Sequence, residues 1–172
     1  MHVMIDLETM GTKPGSAIIA IGAVAFDKHG IVGDFYQVID LRLTVAAGLT
    51  IDPDTVLWWM KQSDAARAEF ERPGDSLYNA LHLFKEFYHK MEGKELWGNG
   101  SDFDNVLLAS AYHAVEFVPL WKFWDNRCYR TLKNLYPTVK HERTGTHHNA
   151  LEDARYQAEH LLKIVEVKGI EL

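Results

Sequence analysis

The chain has little of several things that would settle its class early. Among 172 residues there is one cysteine, Cys128. No internal disulfide is available, which suits a reducing cytoplasm. A lone thiol of this kind reads as a half-buried side chain rather than a nucleophile. No apolar run is long enough to span a bilayer, so no membrane partner is expected. The N-terminus lacks the basic start and long apolar stretch of a signal peptide, and Asp6 interrupts it early. Positive charge is in deficit: 18 Lys and Arg stand against 24 Asp and Glu, for a net charge of -6. That argues against a protein that coats nucleic acid by bulk electrostatics, though not against one that grips a few phosphates locally. Internal repeats, low-complexity tracts and dividing linkers are missing too. With 47% hydrophobic and 24% charged residues, residues 1–172 are expected to form one soluble globular domain.

What is present is acid, placed with care. Val3, Met4 and Ile5 lead into Asp6, with Glu8 two places on. Alternate residues of a strand share a face, so Asp6 and Glu8 point the same way at the end of a buried strand. Two adjacent carboxylates repel and are costly to bury without a cation between them. Further on, W-G-N-G-S-D-F-D-N reads as a short strand, a tight turn and a helix start, carrying Asn99, Phe103 and Asp104. Asp102 or Ser101 is the expected helix cap and Asp104 the functional acid. Asn99 is expected to hold the turn. Near the end, Asn149 and Glu152 have capping-box spacing in H-H-N-A-L-E-D-A, so a helix should begin at Asn149. His148 then lies just outside it and Asp153 just inside, with His147 as the competing histidine.

The elements between these stretches follow from period and punctuation. Strands are predicted over Met1–Leu7, Ala17–Asp27 and Asp34–Ile39, the last two joined by a turn at Lys28-His29-Gly30. Helices are predicted from Asp52-Pro53 through Met60, over Ser63–Phe70 and over Ser76–Met91, with Leu77, Leu81, Phe84 and Tyr88 on one side of the last. Glu95–Trp97 should be a short strand, Asp104–His113 a helix and Lys122–Trp124 another short strand. Arg127–Leu135 and Asn149–Val167 read as helices on either side of a polar loop, Thr138–His147. The fold class is therefore α/β, a mixed sheet covered by helices.

Four acids on separated segments (Asp6, Glu8, Asp104 and Asp153) converge stably only around about two divalent ions. Such a pair, roughly 4 Å apart, is a clamp for in-line attack on phosphorus. An unperturbed histidine has its pKa near neutrality, so His148 is suited to take a proton from water.

Taken together, the motifs resemble the DEDDh branch of the 3'-to-5' exonucleases, the superfamily of ribonuclease T, oligoribonuclease and the proofreading subunits. Asp6-Leu7-Glu8-Thr9 is similar to its first motif, Asn99 through Asp104 to its second, and His148 through Ala154 to its third. The histidine precedes the acid by five positions, and Asn149 stands where the tyrosine branch would have Tyr. Within the superfamily the chain looks most like the compact phage and bacterial exonucleases. The resemblance implies a ribonuclease H-like sheet, antiparallel in its first three strands and then parallel. It implies metal binding, as Mg²⁺ or Mn²⁺, by Asp6, Glu8, Asp104 and Asp153, with His148 as general base. It implies single-stranded DNA or RNA 3' ends as partner, DNA slightly favoured, nucleoside 5'-monophosphates as product, and a possible homodimer. An exoribonuclease, an oligoribonuclease or a non-catalytic adaptor of the same fold are the alternatives.

Nucleic-acid contacts are expected from Trp58, Trp59, Asn99, Phe103, His141 and Arg143. Adjacent helical residues diverge, so one of Trp58 and Trp59 should be core while the other could stack on a base; core packing for both is the reading preferred. Lys122, Arg127, Arg130, Lys133, Lys140 and Arg143 make the stretch before the third motif basic. A phosphate track is as good a reading there as a solvated face.

Overall fold

The computed structural model describes residues 1–143 and 148–172. Five strands form one sheet: β1 (His2–Thr9), β2 (Ile18–Asp27), β3 (Gly30–Val38), β4 (Glu95–Gly98) and β5 (Asn126–Cys128), in the order β3-β2-β1-β4-β5. The first three pair antiparallel and β1, β4 and β5 pair parallel. This is the mixed sheet that the period analysis predicts. β1 has a neighbour on each side, and Val3, Met4 and Ile5 are fully buried. β2 is buried along all but its last residue, as expected of a run that is apolar on both faces.

Helices cover both faces. On one lie α4 (Leu77–Lys90) and α5 (Asp104–Ala114), whose Leu81, Phe84, Leu107 and Tyr112 pack with Val3, Ile5 and Leu7. On the other lie α6 (Tyr129–Leu135) and α7 (Ala150–Lys168), whose Tyr129, Ala154, Ala158 and Leu161 pack with Met4, Val24 and Phe26. Met4 belongs to the second face, so by strand parity Asp6 and Glu8 do too. The acids of β1 therefore emerge beneath α7. Gly22, opposite Asp6 in the β1–β2 register, sets how closely α7 lies. A Cβ there would stand 2.1 Å from the backbone carbonyl carbon of Ala150, so only glycine fits.

Three short helices complete the set among the described residues: α1 (Leu41–Ala46), α2 (Pro53–Trp59) and α3 (Asp64–Arg67), the last running into a 3-10 turn at Ala68–Glu71. Their starts follow the expected chemistry, with Asp52 capping α2 and Ser63 capping α3. Ser76 caps α4 and Asn149 caps α7, its Oδ1 accepting from Glu152 N at 3.2 Å. No described helix is long and apolar enough to cross a membrane.

Several boundaries differ from the sequence reading. α1, capped by Asp40, carries no periodic apolar signal long enough to announce it. β3 begins at Gly30 because the hairpin pairs Asp27 with Gly30 directly. Lys122–Trp124 is not a strand: Phe123–Asp125 is a 3-10 turn, and the strand is the polar triplet Asn126–Cys128. Its pairing with β4, Leu96 against Asn126, delays α6 to Tyr129. Neither Ser101 nor Asp102 caps α5. The turn runs one residue further, so Phe103 is the N-cap and no side chain caps that end.

Candidate active site

The acids meet at the C-terminal ends of β1 and β4, under the start of α7. Asp104 is 2% exposed. Its Oδ1 accepts from Leu7 N at 3.3 Å and its Oδ2 from Asn99 N at 3.0 Å. One carboxylate thus ties the second acidic stretch to the first. Asp6 Oδ1 accepts from Gln157 Nε2 at 2.8 Å, which ties β1 to α7. Asp153 Oδ2 accepts from the backbone N–H of His148 at 3.2 Å, and Asp153 also pairs with Arg143. One oxygen of Glu8, one of Asp153 and a ring nitrogen of His148 lie within 4.8 Å of one another.

These carboxylates are crowded, and Glu8, Asp104 and Asp153 are buried. Burial, then the charges of Asp104 and Glu8, push Asp6 well above the usual carboxylate range. Burial, then Asp104 and Glu69, push Glu8 up to about 8, with Arg143 opposing. Burial pushes Asp104 up to about 7 against the pull of its two backbone donors. Glu8 Oε1 is buried and has no hydrogen-bond partner among the described residues. Buried, mutually repelling oxygens with an unpartnered lone pair fit a hard divalent cation.

The site opens into a cleft of about 790 Å³ lined by Asp6, Glu8, His148 and Asp153 together with Trp58, Trp59, Asn99, Phe103 and Arg143. Asp104 lies beneath this lining. Trp59 is 4% exposed and donates from Nε1 to Thr9 O at 2.9 Å. Trp58 is not core: it is 43% exposed, and its ring stands edge-on to that of His148 at 5.0 Å. Adjacent helical positions diverge, and the short α2 has only one buried side. His148 itself takes a left-handed backbone, φ 61°, uncommon for a residue with a Cβ.

His141 sits apart from the cleft lining, its Nε2 3.2 Å from Glu159 Oε2. Arg127 pairs with Glu95, and Lys122 lies over the Trp124 ring. His147 lies outside the described residues.

Two contributors have no motif. Gln157 is four residues after Asp153, one turn along α7, and that spacing could have marked it. Glu69, in the 3-10 turn Ala68–Glu71, accepts from Tyr36 Oη and, at 3.3 Å, from Asn149 Nδ2. Nothing local to the sequence at Glu69 signals this.

Comparison with known proteins bears on the whole arrangement. No curated protein matches the chain. Among solved structures, the nuclease domain of 3'hExo, a DEDDh family member bound to rAMP, is similar with a TM-score of 0.69 at 16% identity, covering 99% of this chain and 93% of that one. Pop2p of S. pombe, in a Mg²⁺- and Mn²⁺-bound form, is similar with a TM-score of 0.68 at 14% identity, covering 98% and 84%. Exonuclease X in complex with 5' overhanging duplex DNA is similar with a TM-score of 0.62 at 18% identity, covering 98% and 93%. At these identities the likeness is one of fold. A family model described as the 3'-5' exoribonuclease Rv2179c-like domain matches residues 1–165, and the chain belongs to that family.

Proposed function

We propose that this 3'-5' exonuclease shortens single-stranded RNA from its 3' end, one nucleoside 5'-monophosphate at a time. Asp6, Glu8, Asp104 and Asp153 would hold two divalent ions, Mg²⁺ or Mn²⁺, and His148 would act as general base. The observation that carries the reading is the convergence of Glu8, His148 and Asp153 within 4.8 Å, beside Asp6 and Asp104. When bound, the ions would favour ionisation of the attacking water and stabilise the leaving 3' oxygen.

The chain's own groups supply the rest. Gln157 fixes the Asp6 carboxylate, and the backbone of Leu7 and Asn99 fixes that of Asp104, so neither has to reorganise during the reaction. His148 accepts the water's proton at a ring nitrogen. Trp58 offers an exposed aromatic face at the rim, suited to the terminal base, where stacking contributes roughly 1–3 kcal/mol. Arg143, on Asp153 in this structure, is within the cleft and suited to a phosphate.

The motifs alone lean slightly to DNA; the family's description as an exoribonuclease favours RNA. Matched RNA and DNA oligomers labelled at the 5' end, with Mg²⁺, Mn²⁺ or EDTA, test both. A metal-dependent ladder shortening from the 3' end, faster on RNA and lost in Asp153→Ala, is expected. Faster shortening of DNA would transfer the reading to DNA, and metal-independent cleavage would end it.

A further inference from the structure

Beside the cleft lies a smaller depression of about 240 Å³, walled by Lys133, Lys140, His141, Tyr156 and His160. Lys133 and Tyr156 line both spaces, so the depression continues the cleft. Ligand pockets typically run from roughly 300 to 1,000 Å³. The cleft is large enough for a nucleotide by itself. The depression is not, and suits a phosphate with part of a base.

Its chemistry runs against that of the chain. In a protein of net charge -6, this wall gathers Lys133 and Lys140, with Lys163 close enough to donate to Lys140 O. No carboxylate is among its described lining residues, and Glu159 stands on His141 Nε2 at 3.2 Å. Flat rings supply the remainder: His141 lies 5.4 Å from Tyr156 at 35° and 6.1 Å from His160 at 12°.

The depression is also built rigidly. His160 is 4% exposed. Its Nε2 donates to Val139 O at 2.8 Å, which leaves Nδ1 to accept from Tyr129 Oη at 2.7 Å. Tyr156 Oη and Lys163 Nζ reach the next two carbonyls, His141 O and Lys140 O. Three side chains of α7 thereby hold three consecutive carbonyls of the loop, and the shape exists before any ligand arrives.

Cations and stacked rings in a preformed groove, opening from the end of a cleft, are the features that track a single strand. We propose that this depression is an upstream subsite, taking a phosphate and base on the 5' side of the scissile bond, with Lys133 and Lys140 on the phosphate and His141 and Tyr156 beside the base. The inference rests on the exonuclease reading and deepens it: the chain is built for strands of several nucleotides rather than for dinucleotides.

The test compares a ribodinucleotide with a ten-nucleotide single-stranded RNA, using the full chain with Mn²⁺. The longer strand should be preferred in kcat/KM by about tenfold, the worth of one charge-assisted hydrogen bond. The double variant Lys140→Ala, His141→Gln should collapse that preference through KM. It should also flatten the slope of log affinity against log salt by about 0.7 for each phosphate that the variant no longer neutralises. Equal kcat/KM on the two lengths, or an equal loss on both in the variant, overturns the subsite. Cleavage of the dinucleotide reports the exonuclease reading separately. If neither strand is cleaved, that reading fails, and the salt slope for ten-nucleotide binding, read by fluorescence anisotropy, still decides the subsite.

Discussion

The two sides of the proposed active site are held by different means. On the strand side, Asp6 and Glu8 sit on β1, paired through its backbone to β2 and β4, and Asp104 is locked by two backbone N–H groups. On the helix side, Asp153 is held by the backbone N–H of His148 and the guanidinium of Arg143. His148 stands there in a left-handed conformation between the loop and the Asn149 cap. Sheet pairing fixes the first side whatever occupies the cleft. The second side is fixed in part by Arg143, a side chain that also lines the cleft. Charge divides the same way: three acids crowd the strand side, and Arg143 answers from the helix side.

The sharpest break in this comparison is His148→Ala, which removes the proposed base and leaves the strand-side acids untouched. The rate should fall by about 10²–10⁴-fold. The fall in native activity on acidification, as the base takes up a proton, should vanish with it. A variant that kept full rate and the same pH profile would take His148 out of the base role.

The strand side is probed by pH without metal. Glu8 at about 8 and Asp104 at about 7, with Asp6 also raised, hold protons in the folded chain that the unfolded chain releases at the usual carboxylate values. Their stabilising contribution is complete only below about pH 4, where the unfolded carboxyls are protonated too, and is lost progressively as pH climbs from there through about 7 to 8, by a few kcal/mol. Urea midpoints in EDTA should fall over that range, and Mn²⁺ should remove the slope. A flat profile in EDTA would mean that the acids are not crowded in solution.

The junction of the two sides is tested by Gly22→Ala. Overpacking α7 against β2 should cost about 1–3 kcal/mol in a urea melt. It should also slow cleavage, since Asp153 rides on the helix that is displaced. Stability lost without any loss of rate would show that the two sides tolerate separation.

Much of this was legible in the sequence because it rests on short periods. The parity of Asp6 and Glu8, the cap at Asn149 and the one-sided burial of Leu77, Leu81, Phe84 and Tyr88 follow from spacings of two to four residues. The illegible parts depend on distant partners. β5 is a polar triplet that becomes a strand only because β4 lies beside it. Asp104 is held by the backbone of β1, nearly a hundred residues earlier, and so does nothing for the helix cap that local chemistry would assign nearby. Trp58 and Trp59 are indistinguishable by type, and only the packing of α2 on the sheet sends one inward and the other to the rim. Glu69 reaches Asn149 across the fold, a pairing no spacing encodes.

The close approach at Gly22 has a consequence for how the protein can change over time. Where a helix rests on a sheet through side chains, each core substitution resets the gap, and a site spanning that gap drifts with it. Here the helix bearing Asp153 meets the strand next to Asp6 backbone to backbone. The spacing across the site is thus gauged by main-chain atoms, which every sequence shares. The apolar residues around it can be exchanged for others of similar volume while the distance between the acids stays put. Position 22 sets the closest approach of that contact.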